Sequence, residues 1–201
     1  KAGDPVFPAL IADNERHLRE QFYLQDCRIE LVPDSSCSAV DVYILTKDII
    51  AHGANLKVHA ANRLETEVYD ENNLGRGNRL GVRFLYDLNR KPKAGFGVFY
   101  DFRNIKGTFL DLSVGLQNAK TSISDGLNQE KEIYLNLSKP LVSPYFPLTY
   151  ALNCSFRQTS NRYLPDSAYA QQSRYAYFTM DAWAAYNLGA NQFTKTRRTE
   201  Q

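Results

Sequence analysis

From residue 79 to 88 the chain alternates. The even positions Leu80, Val82, Phe84, Tyr86 and Leu88 are all apolar, and the odd ones are Arg79, Gly81, Arg83, Leu85 and Asp87. A period of two puts each class on its own side of a β-strand. The alternation returns with Phe96, Val98, Tyr100 and Phe102 set against Gly95, Gly97, Phe99, Asp101 and Arg103. It continues with Leu110, Leu112, Val114 and Leu116 set against Asp111, Ser113, Gly115 and Gln117. It recurs at Ile133, Leu135 and Leu137, and at Leu148, Tyr150, Leu152, Cys154 and Phe156. With weaker candidates near 53–61, 63–72 and 174–188, about eight strands are expected after residue 49.

The first fifty residues follow another rule. Leu10, Ile11, Asn14, Leu18 and Phe22 recur at helical spacing and Pro8 suits a first turn, so an amphipathic helix is expected over 8–22. Two alternating runs follow at 27–32 and 39–46, and the residues between them carry turn chemistry. They predict an antiparallel hairpin packed under the helix. The organisation read from this is an α/β module over 1–48 and a strand-rich region over 49–201.

Alternation alone fits a half-buried soluble sheet as well as a membrane barrel. Three features favour the barrel. Several strands can be drawn at about 9 to 11 residues, the length that crosses a tilted bilayer path. The polar side mixes glycine and serine with Asp87, Asp101, Asp111, Arg83 and Arg103, which a wall with water behind it tolerates. The connections also sort by side. Links near 72–78, 104–107 and 140–147 fall on one side, and those near 62, 89–94, 118–130 and 158–173, which include the two longest, on the other. Outer-membrane barrels place short turns in the periplasm and longer loops outside, which puts the first module on the short-turn side. Tyr86, Tyr100, Phe102, Tyr145, Phe146, Tyr163, Tyr175, Tyr177, Trp183 and Tyr186 fall mostly near strand ends, where an interfacial girdle would want them.

Composition narrows the chemistry. The 201 residues are 43% hydrophobic and carry a net charge of +2 from 24 basic and 22 acidic residues. Without a basic stripe, no nucleic-acid partner is expected. The three cysteines Cys27, Cys37 and Cys154 form no CxxC pair and imply neither a zinc site nor a full disulfide framework. Cys37 falls in the expected turn and Cys27 at the far end of its strand, which argues against a bridge between them. No run of 18 apolar residues and no leading signal sequence is present, which leaves a soluble protein and a β-barrel both open.

The segment 69–81, YDENNLGRGNRLG, invites a ligand-loop reading. A dinucleotide loop fails because Leu80 stands where the third glycine should be, and no helix follows. A Walker loop lacks its Gly-Lys-Ser/Thr ending. A calcium loop counted from Asp70 meets Leu74 at its fifth position and Gly81 at its twelfth. A strand-to-strand turn remains, with positive φ expected at Asn73, Gly75 and Gly77. His17, His52 and His59 form no HExxH pair and no GxSxG elbow occurs, so no catalytic, metal or cofactor site and no enzymatic activity are expected. The glycosylation-like triplets at 136–138 and 153–155 lie inside expected strands.

These residues resemble a known family. The helix and hairpin NERHLREQFYLQDCRIELVPDSSCSAVDVYILTKD resemble the C-terminal part of a POTRA repeat, with Val40, Val42 and Ile44 turned toward the helix. YDENNLGRGNRLGVRFLYD resembles the early barrel hairpin of the outer-membrane assembly-factor superfamily, also called the bacterial surface antigen family, through Asn72, Asn73, Leu74, Gly75 and Gly77. The repeat's first strand and much of its first helix, and the family's Arg-Gly-Phe-type loop motif, are absent. The resemblance implies a mostly β fold: the first half of a sixteen-stranded transmembrane antiparallel barrel behind a partial POTRA module, as an internal piece of a longer protein.

It also implies a role. A POTRA module in the periplasm would receive unfolded outer-membrane clients, and the first barrel strand, within 49–61 with Leu56, Val58 and Ala60, would part to admit a client strand. Leu80, Val82, Phe84, Val98, Tyr100, Leu112, Val114, Leu135 and Leu152 are the expected lipid-facing positions, so membrane lipid is itself a partner. The resemblance leaves room for periplasmic or lipoprotein accessory subunits. A passive outer-membrane pore and a soluble β-rich binding domain stay open as alternatives.

Overall fold

The structure, a computed structural model, describes residues 5–21, 23–34, 39–88, 93–121, 129–142, 146–160 and 175–190. The chain divides into two units, Lys1–Ala51 and His52–Gln201, so the division falls three residues beyond the expected one.

The first unit contains helix α1 (Pro8–Arg19) and strands β1 (Leu24–Pro33) and β2 (Val40–Asp48). Pro8 occupies the first turn and Arg16, His17 and Arg19 the last, where cations favour the negative end of the helix dipole. The helix ends three residues before the expected limit at Phe22, which lies outside the described residues. Strands β1 and β2 pair antiparallel from Cys27 opposite Thr46 to Pro33 opposite Val40. The helix packs on β1. The Ile29 amide donates to Glu15 Oε2 (2.9 Å) and Arg19 Nε donates to the Cys27 carbonyl (2.8 Å). Those backbone groups belong to the edge of β1 that β2 leaves unpaired, so the helix covers a strand edge. This corrects the expectation for β2. Val40, Val42 and Ile44 do not turn under the helix but stay exposed, because the helix is anchored one strand away.

The second unit is one antiparallel meander of eight strands: β3 (His52–Ala60), β4 (Arg63–Asn73), β5 (Asn78–Asp87), β6 (Ala94–Phe102), β7 (Asp111–Thr121), β8 (Gln129–Lys139), β9 (Leu148–Ser160) and β10 (Ala176–Tyr186). Each pairs with its successor, which leaves β3 and β10 as the two edges among the described residues. At 9 to 13 residues, the strands exceed the roughly 5 to 6 common in soluble sheets.

Register turns the alternation into rows. One row takes a residue from every strand: Ala54, Val68, Val82, Val98, Leu116, Ile133, Phe156 and Phe178. From Val68 to Phe178 these side chains are 37% to 64% exposed. On the opposite face lie the buried residues Leu85, Asp87, Phe99, Glu132 and Ser155. A water-soluble sheet buries its apolar face, whereas this one buries its polar face and presents the apolar one. No described element covers the polar face, so its residues are buried by their own cross-strand neighbours.

A second row explains how that face packs: Gly53, Tyr69, Gly81, Phe99, Gly115, Tyr134, Ser155 and Thr179. Rings and glycines alternate along it. A methyl group added to Gly53 would come within 2.5 Å of the Tyr69 ring, one on Gly115 within 2.5 Å of Tyr134, and one on Gly81 would overlap Phe99. Each ring lies over the bare backbone of the preceding strand, a pairing that shields a glycine's backbone from water.

Candidate functional site

The segment 69–81 is a turn, as expected, but its backbone differs in one place. Gly75 and Gly77 have φ of 68° and 69°, and the third left-handed residue is Leu74, at 56°, not Asn73. The Asn72 side chain explains the exchange. Asn72 Oδ1 accepts from the Gly77 amide (2.7 Å), and the Asn72 amide donates to Asp70 Oδ1 (3.0 Å). The Gly75 and Arg76 amides donate to the Asn72 and Asn73 carbonyls. The loop is folded around the Asn72 carboxamide, and Leu74 is carried outward at 80% exposure. Of the five turn-signature residues, Asn72, Asn73, Leu74, Gly75 and Gly77, all thus serve backbone geometry.

The candidate seam strand is β3, the first edge of the sheet. Its partner β4 uses one side of its backbone, so alternate N–H and C=O groups of β3 point to the open side. Leu56 and Val58 are 66% and 69% exposed, Ala60 is exposed too, and a register shift falls between Val58 and Ala60. Beside that bulge His59 Nε2 lies 3.1 Å from Glu65 Oε2, and at the other end His52 lies 3.6 Å from Asp70. The third histidine, His17, is engaged on α1, where Gln21 Nε2 donates to its carbonyl (3.0 Å).

Behind the edge runs a polar ladder that sequence reasoning missed. Asn55, Glu67, Arg83, Gly97, Gln117, Glu132, Arg157 and Tyr177 form the next row on the polar face. Arg83 donates from Nη2 and Nε to Glu67 Oε2 (2.8 and 3.0 Å) and from Nη1 to Gln117 Oε1 (3.0 Å). Gln117 Nε2 donates to Glu132 Oε2 (2.5 Å), whose other oxygen accepts from Arg157 Nε (2.8 Å). Gly97 leaves the gap that lets Arg83 reach Gln117 across β6. Closer to the turns, Arg79 pairs with Glu67 (2.8 Å) and Glu71 (3.3 Å), and Arg103 with Glu71 (2.7 Å). Arg79 also lies over the Tyr69 ring at 4.4 Å. The sequence signal was the charged or amide residue that this row sets two places from six of the eight members of the ring-and-glycine row, all but Phe99 and Thr179, visible only once the register is known.

All nine expected lipid-facing residues share the apolar face. Val82, Val98 and Leu135 are exposed, and Leu80, Phe84, Tyr100, Leu112, Val114 and Leu152 are half-buried by neighbours on the same face. The aromatic expectation needs correction at two residues. Tyr177 and Trp183 stand opposite Arg157 and Ala151, on the polar face, and cannot belong to an outer girdle. Tyr86, Tyr100, Phe102 and Tyr186 do lie on the apolar face. Phe146 sits in a turn, its ring 5.2 Å from Phe109. Tyr175 stacks on Tyr177, and Tyr145 and Tyr163 lie outside the described residues.

Among the described residues no group of three or more His, Cys, Asp or Glu is placed to hold a metal ion. Cys27 and Cys154 are free thiols, and Cys37 lies outside the described residues. Burial between α1 and β1, followed by the charge of Glu15, pushes the Cys27 thiol up from its ordinary pKa. No helix is long and apolar enough to cross a membrane, which says nothing of strands.

No protein-family model and no curated protein matches the chain. Solved structures do. Four chains match, among them the crystal structure of BamA from Haemophilus ducreyi lacking POTRA domains 1-3, with 14% sequence identity and a TM-score of 0.51. The match covers 88% of this chain, which spans 38% of that one. At that identity the likeness speaks to architecture alone. With the inverted faces and the eight-stranded meander, it gives this chain the fold of a BamA-like β-barrel.

Proposed function

We propose that the chain is part of an outer-membrane β-barrel that assembles or translocates other proteins, and that β3 is the strand at which a client is received. One observation carries the reading: an inside-out sheet of BamA-like fold ends on a strand whose backbone is open for pairing. In hydrocarbon, unpaired N–H and C=O groups cost several kcal/mol each, so such an edge selects a partner strand. Leu56 and Val58 would continue the apolar belt onto that partner, whereas Ala60, opposite Arg63 beyond the register shift, falls on the polar side. The helix-and-hairpin unit is read as the end of a POTRA repeat on the short-turn side, in the periplasm, where the uncovered Val40, Val42 and Ile44 offer a second apolar surface for unfolded clients. The function is non-enzymatic and uses no cofactor. Periplasmic or lipoprotein subunits are compatible partners.

Cysteines placed at Asn55 and Lys57 test this. Disulfide crosslinking during synthesis of outer-membrane proteins should yield adducts with nascent clients, and cysteines on the central strand β6 should not. Equal, background-level yields at both strands would leave a passive pore as the better reading.

A further inference from the structure

The apolar face is not evenly filled. Between the row that contains Ile133 and the next one toward the turns runs a groove of about 500 Å³, lined by Tyr100, Val114, Leu135, Cys154, Phe156 and Phe178. Short side chains at Val114 and Cys154 stand among three rings, and Gly115 also lines the groove, so the depression reaches the backbone. The volume falls in the roughly 300–1,000 Å³ range of small-molecule sites, and the lining is almost wholly apolar.

Charge on the same face is unevenly placed. No Asp or Glu occupies the apolar face of β7 to β10 among the described residues. Lys131 does occupy it. It is exposed, opposite Gln158, and two residues before Ile133 on β8, about 7 Å along the strand. A lysine stem covers that distance and keeps its ammonium at the polar boundary. Lys139, at the other end of β8, is separated from the groove by Leu137, and its ammonium lies over the Phe146 ring at 5.7 Å.

We propose that the groove is a lipid site: it takes one acyl chain of an anionic phospholipid, and Lys131 meets the phosphate. The proposal rests on the membrane reading above and adds a headgroup preference that the bare apolar belt would not have.

The test uses the full chain reconstituted in vesicles, with a Phe178→Trp reporter in a Trp183→Phe background. Quenching by brominated phosphatidylglycerol is compared with quenching by brominated phosphatidylcholine. Both lipids should quench, with phosphatidylglycerol preferred about fivefold, the effect of roughly one lysine at a membrane surface. Lys131→Gln and the groove-filling Cys154→Phe should each bring the preference to about one. Lys131→Arg and Lys139→Gln should keep it. Quenching by neither lipid would overturn the membrane reading and this site together. Equal quenching by both lipids in the parent, or a preference that survives Lys131→Gln, would overturn the lipid site and leave the membrane reading standing.

Discussion

Single residues on the polar face do opposite jobs two positions apart. Gly81 makes room for the Phe99 ring, and Arg83, two positions on, fills the space beside Gly97. Gly81→Val should therefore destabilise the refolded protein by about 1–3 kcal/mol through overpacking, measured by urea unfolding in detergent. Phe99→Ala in the same chain should recover part of the loss, because the clash is between those two groups. Glu132 is held at both oxygens and is 3% exposed. Glu132→Ala should cost roughly 3 kcal/mol, since it strands the Arg157 guanidinium. At the turn, Leu74 carries a left-handed strain that glycine would not, so Leu74→Gly should stabilise by about 1 kcal/mol in the same assay. That residue also marks a limit of sequence reading. Asn is the commoner left-handed residue, and only the side-chain bond of Asn72 to the Gly77 amide makes Leu74 the one that bends.

Elements were more legible than their pairings. All eight strands of the second unit announce themselves by alternation, down to the weaker ones at 52–60 and 176–186, because a period of two survives even where the apolar residues are small. The ladder from Glu67 to Arg157 was not legible. Its members are 90 residues apart at the extremes and meet only through five registers, none of which a single strand encodes. Trp183 was misread for the same reason, since which face it takes follows from its pairing with Ala151. In the first unit, the helix was assigned to the wrong strand because apolar alternation marks a face but not what covers it. The unit's buried thiol gives a check. With its pKa raised, Cys27 stays neutral and bound to its proton in the fold at a pH where the unfolded chain begins to release it. Stability of this unit is thus full below the ordinary thiol range and declines as pH rises above it. Cys27→Ala should flatten that alkaline decline in circular dichroism melts, and alkylation of Cys27 in the folded full chain at pH 8 should be slow.

For the whole molecule, the exchange of faces decides the solvent. A belt that is half exposed across eight strands, over a face whose charges are paired with one another, suits hydrocarbon outside and water inside. Phe84→Arg or Val98→Arg should cost roughly 2–4 kcal/mol in a bilayer, and the unmodified chain should need detergent to remain dispersed. Ordinary solubility in detergent-free buffer would remove the barrel reading altogether.

The alternating row of rings and glycines also counts the strands in twos. Tyr69 covers Gly53, Phe99 covers Gly81 and Tyr134 covers Gly115, and at the fourth station Ser155 and Thr179 share a hydrogen bond of 2.6 Å. Every one of these joints lies inside a hairpin, β3–β4, β5–β6, β7–β8 or β9–β10, whereas Glu67–Arg83, Arg83–Gln117 and Glu132–Arg157 cross from one hairpin to the next. The wall is therefore made of four staves, each clasped by its own contact and tied to its neighbour by charge. Removing charge should loosen the ties and leave the clasps, so in a Glu67→Gln, Glu132→Gln variant hydrogen exchange should open β4–β5 and β8–β9 ahead of β5–β6 and β7–β8. Such a wall can be extended or parted two strands at a time.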